Sequence, residues 1–77
     1  MMLTFEQARA ALREAVVRVG GVDAFAALHP LFTVDHVKFW IDPKGGMPSI
    51  RAFEAAGVHV TQERRANGKM ATVYEME

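Results

Sequence analysis

The sequence predicts an α+β fold: a small helical domain of three to four helices closed by a C-terminal two-stranded β-hairpin. Three observations carry that expectation. Thr4 followed three residues later by Gln7, just ahead of an apolar stripe, marks a helix start. "IRAFEAAGV" reads as a short helix stopped by Gly57. Two alternating stretches within "VHVTQERRANGKMATVYEM" flank Asn67-Gly68, a strong hairpin signal.

The first helix begins at Phe5, with Phe5, Ala8, Leu12, Ala15, Val16 and Val19 on one stripe at helical spacing. Glu6, Arg9, Arg13, Glu14 and Arg18 are expected mostly to face away, and Gly20-Gly21 ends the helix. "VDAFAALHP" predicts a short second helix from near Val22 or Asp23 to Pro30, burying Phe25 and Leu28. Thr33 caps a third, striped by Val34, Val37, Trp40 and Ile41 and broken by "DPKGG". Pro48 suits the first turn of a fourth, because its missing N–H would go unpaired there anyway. Ile50 and Phe53 anchor that helix.

The hairpin register follows from the apolar pattern. A two-residue Asn67-Gly68 turn would set Val60 opposite Glu75 and scatter the apolar residues over both faces. A three-residue Ala66-Asn67-Gly68 loop, with Gly68 in the left-handed bulge position, pairs Val60 with Tyr74 and Val58 with Met76. Val58, Val60, Met70, Tyr74 and Met76 then share the buried face. His59, Thr61, Glu63, Val73 and Glu75 turn outward.

Seventy-seven residues make one domain, residues 1–77, and a chain of this size buries only about 60% of its unfolded surface. With 51% apolar residues it still has the means to build a core. It has no cysteine, which removes disulfides, thiolate chemistry and Cys-based zinc sites together. Charged residues interrupt the N-terminal apolar stretch, so neither signal peptide nor membrane span is expected, and the sequence predicts a cytoplasmic protein. Nine basic residues balance nine acidic ones. Between Lys44 and Lys69 the balance is basic, with Lys44, Arg51, Arg64, Arg65 and Lys69 against Glu54 and Glu63, so any cationic face lies there.

Helix, helix, "AFEAAGVHV" and a hairpin with a basic, glycine-containing tip together resemble the winged helix-turn-helix family of DNA-binding domains, over roughly residues 33–76. "ALREAVVRVGGVDAFAALHP" is more distantly similar to the opening of small phage repressors. The resemblance implies a winged-helix-like domain and a small DNA-binding regulator, a transcriptional or recombination accessory protein of phage or mobile-element type. It puts "TVDHVKFWI" in the positioning place and "PSIRAFEAAG" in the recognition place. Ser49 and Arg51 would approach base edges, Arg64, Arg65 and Lys69 would form the wing's grip on phosphates or the minor groove, and Lys44 would add one more phosphate. The expected partner is double-stranded DNA, with a homodimer or larger complex supplying useful affinity.

The alternative on the same scaffold is a protein-interaction module, such as a phage-encoded inhibitor of a host protein complex. Net neutrality and the alanine-rich face of the fourth helix favour it. Neither reading is enzymatic. Ser49 has no local base, His29, His36 and His59 lack metal-site spacing, and "KGGMPS" lacks the order of a nucleotide loop, so no cofactor, metal or catalytic residue is expected. Trp40 and Tyr74 are expected in the core.

Overall fold

A computed structural model of the chain, describing residues 1–76, starts with a strand the sequence does not announce. Strand β1 (Met2–Leu3) precedes helices α1 (Phe5–Arg18), α2 (Val22–Leu28), α3 (Val34–Ile41) and α4 (Ile50–Ala55), and strands β2 (Val58–Arg64) and β3 (Met70–Met76) follow. The α+β class is as expected, with four helices. The sheet, however, has three antiparallel strands in the order β1-β3-β2. Met2 pairs with Glu75 and Leu3 with Tyr74. Two residues are too few to display an alternation, which is why only the hairpin is legible beforehand.

The capping box at α1 forms as expected, with Thr4 N donating to Gln7 Oε1 at 2.8 Å and Gln7 N to Thr4 Oγ1 at 3.1 Å. Ala8, Leu12, Ala15 and Val16 form its buried face. Two residues depart from expectation. Val19 caps the helix C-terminus and is exposed, while Arg9, expected outside, is only 5% exposed.

Two cores meet on α1. Leu12 and Val16 pack with Phe25 of α2, Val37 of α3 and Ala52 of α4. Ala8 packs with Phe53, Val58 and Tyr74 against the sheet. Phe5, Phe53 and Tyr74 cluster in this second core with centroids 5.1–6.2 Å apart, Phe53 edge to face with both of the others.

Trp40 is partly buried at the margin of the first core, with Phe32 edge-on at 5.1 Å and His36 stacked at 5.7 Å. Leu28, expected inside, is 62% exposed because α2 ends on it, and the helix meets the core through Phe25, with Val22 and Ala26 packed beside it. Helix α4 starts later than Pro48 suggests: Ser49 is the N-cap, its Oγ accepting from Ala52 N at 3.2 Å. That start turns Ile50 outward at 50% exposure and leaves Ala52 and Phe53 as the anchors. The alanine face of α4 points inward, with Ala52 buried and Ala55 and Ala56 packed on the first core.

The hairpin has the expected register, Val58 opposite Met76, His59 opposite Glu75 and Val60 opposite Tyr74. Gly57 ends α4 with φ +83°, a left-handed conformation that costs a residue without Cβ little. Burial along the inner face fades from Val58 and Tyr74 toward Met70, which is 56% exposed. The hairpin outruns the helices meant to cover it, and the molecule is accordingly elongated, 42 × 23 × 21 Å.

Candidate nucleic-acid interface

The hairpin tip is shaped by its own hydrogen bonds. Arg65 N donates to Lys69 O and Gly68 N to Arg65 O, both at 2.9 Å, and Asn67 Oδ1 accepts from Lys69 N at 3.0 Å. Gly68 has φ +81°, as the three-residue loop requires. Every residue from Thr61 to Met70 is exposed. Side chains alternate along a strand, so Arg64, the last residue of β2, falls on the face of Val58 and Val60, while Arg65 and Lys69 lie in the connection to β3. The tip thus gathers three exposed cations within six positions.

Among the described residues these cations form no ion pair. Among the described residues the one ion pair is Arg18 with Glu14, 3.7 Å apart on exposed α1. Arg64 and Arg65 border an open groove of ≈ 620 Å³ together with Met2, Glu63 and Val73.

Lys44 sits exposed on the connection between α3 and α4, in a turn closed by Lys44 N donating to Asp42 Oδ1 at 2.9 Å. The connection is held from beneath by a residue that the sequence reading assigns to the solvent. Arg9 Nη1 donates to the carbonyls of Asp42 and Pro43, both at 3.0 Å, and Nη2 donates to Gly46 O at 3.1 Å. The Phe5 ring lies 4.8 Å from the guanidinium carbon, a favourable cation–π distance. Arg13, one turn on, donates twice to Ile41 O at 3.0–3.1 Å. The signal for this clamp is an Arg pair at i, i+4 bordering the apolar stripe, matched with a Gly-rich connection whose carbonyls no helix satisfies.

Ser49 and Arg51 stand at the start of α4, a helix of six residues. Ser49 uses its oxygen for the cap. Arg51 borders a different groove from the hairpin cations, beside Leu28, Leu31, Glu54 and Ala55. The structure therefore gathers Arg64, Arg65 and Lys69 at one tip, and puts Lys44 and Arg51 on separate features.

The aromatic and histidine side chains are largely used in packing. His29 lies 4.7 Å from Phe25, ring to ring, and His36 stacks on Trp40. Burial pushes the Tyr74 phenol above its ordinary 10.0. No helix among the described residues is long and apolar enough to cross a membrane. Comparison of the chain with protein-family models, with curated proteins and with solved structures finds no match.

Proposed function

We propose that the chain is a small DNA-binding regulator, a transcriptional or recombination accessory protein of phage or mobile-element type, that grips duplex DNA by its hairpin. One observation carries this reading: among the described residues Arg64, Arg65 and Lys69 have no ion-pair partner, and they stand at the tip of a hairpin exposed from Thr61 to Met70. Such a tip can reach along a phosphate backbone, and Lys44 on its clamped connection supplies one more cation. Ser49 is spent on the α4 cap, and Arg51 lies beside leucines. The proposed grip is therefore on the DNA backbone more than on base edges.

The test is a salt titration of binding to mixed-sequence duplex. Each phosphate contact contributes a slope of about 0.9 in log affinity against log salt, so a few contacts give a steep fall. Absence of binding at low salt overturns the reading.

A second reading, a protein-interaction module such as a phage-encoded inhibitor of a host protein complex, is favoured by zero net charge and by the exposed Leu28 at the end of α2 and Leu31 in the connection after it. Affinity capture with and without nuclease separates the two, because a partner held through DNA is lost on digestion.

A further inference from the structure

We propose that two copies of this chain pair across the groove between the α2–α3 connection and α4, with Arg51 of each copy meeting Glu54 of the other. The groove measures ≈ 400 Å³ and is lined by Leu28, Leu31, Phe32, Arg51, Glu54 and Ala55 among others. Leu28 is 62% and Leu31 72% exposed. Ile50, 50% exposed, lies one turn before Glu54 on α4. Large aliphatic side chains gathered beside one groove and rimmed by polar residues mark an interaction surface more than scattered exposure does.

The charges on that rim identify the occupant. Arg51 and Glu54 are three positions apart on one helix, a spacing at which opposite charges readily pair. They do not pair: among the described residues the only ion pair lies on α1. The patch therefore offers one free cation and one free anion bordering an apolar strip. Under a two-fold axis a residue meets its counterpart's complement twice, so a patch carrying both signs complements itself. A DNA backbone would be repelled by Glu54 and would leave the leucines wet. The sheet lends no residue to the groove, so both hairpin tips remain free in the pair. The inference stands on apolar exposure and charge, and does not rest on the DNA reading.

Sedimentation velocity over a concentration series, in the absence of DNA, tests it. The expected result is a concentration-dependent dimer. Arg51→Glu alone gives four facing carboxylates and Glu54→Arg alone gives four facing guanidinium groups, and each weakens self-association at least about tenfold. Mixing the two variants restores pairing, because every contact in the mixed dimer is again between opposite charges. Leu28→Glu abolishes the dimer, while thermal melts show that each variant remains folded. A monomer at all concentrations overturns the proposal, including the case in which a different protein fills this groove. A dimer indifferent to the charge reversals, or one that mixing fails to rescue, also overturns it. Because no DNA is present, these failures leave the hairpin's proposed grip untouched.

Discussion

Arg9 and Gly46, 37 positions apart, are joined by a 3.1 Å hydrogen bond from the guanidinium Nη2 to the backbone carbonyl. With the bonds to Asp42 and Pro43, one buried side chain sets the path between α3 and α4. Arg9→Met keeps the bulk but leaves the carbonyls of Pro43 and Gly46 without their donor, Asp42 O still accepting from Gly45 N, and should cost about 1–3 kcal/mol. Arg9→Lys should recover little, since an ammonium cannot reproduce the planar fork. Urea unfolding midpoints measure both, and a Met variant as stable as the parent would remove the clamp from the account.

Trp40→Ala should cost about 2–3 kcal/mol, below the 3–5 typical of a fully buried aromatic, because Trp40 packs at the margin of the first core. Val37, fully buried on the same helix, is the sharper test of α3. Val37→Ala should leave a cavity that Trp40 cannot fill. Calorimetric melting compares the two.

Tyr74 ties stability to alkaline pH. Burial raises its folded pKa above the ordinary 10.0 that the unfolded chain retains, so on raising the pH the unfolded state loses its proton first. Its contribution is fully present below about 10 and is lost as pH rises through the folded value. As the only tyrosine, its phenolate absorbance should rise later in native protein than in denaturant. A Tyr74→Phe variant should lose less stability over that alkaline interval, and coincident native and denatured titrations would contradict the burial.

Replacing Arg64, Arg65 and Lys69 together with alanine should leave the melting temperature nearly unchanged, since all three are exposed. Binding to every duplex should weaken alike, with the salt slope falling by about one unit per lost phosphate contact. Full DNA binding by this triple variant would reduce the tip to a solvated turn.

What the sequence discloses is what adjacent residues decide. Thr4 and Thr33 cap their helices, Gly57 stops α4, and the loop length fixes the hairpin register, each through neighbours within a few positions. The tip cations are legible for the same reason. Arg9 is not, because a charged residue beside an apolar stripe is read outward until the distant carbonyls of residues 42–46 are folded against it. Leu28 and Ile50 are misread because short helices bury only one or two anchors, and which ones depends on where the cap falls. The groove beside Arg51 depends on how the end of α2 meets α4, a relation no local pattern encodes.

The division of the interior into two cores has a consequence for how the molecule breathes. Adjacent residues of α4, Ala52 and Phe53, belong to different cores, and α1 is threaded through both. The sheet half can therefore open as a partial unit while the helices stay shut. Its amide protons should exchange with solvent through a smaller opening than those of α1 near Leu12. The outer hairpin, from Thr61 to Met70, should exchange fastest of all, fraying from the tip inward until it reaches Val58 and Tyr74.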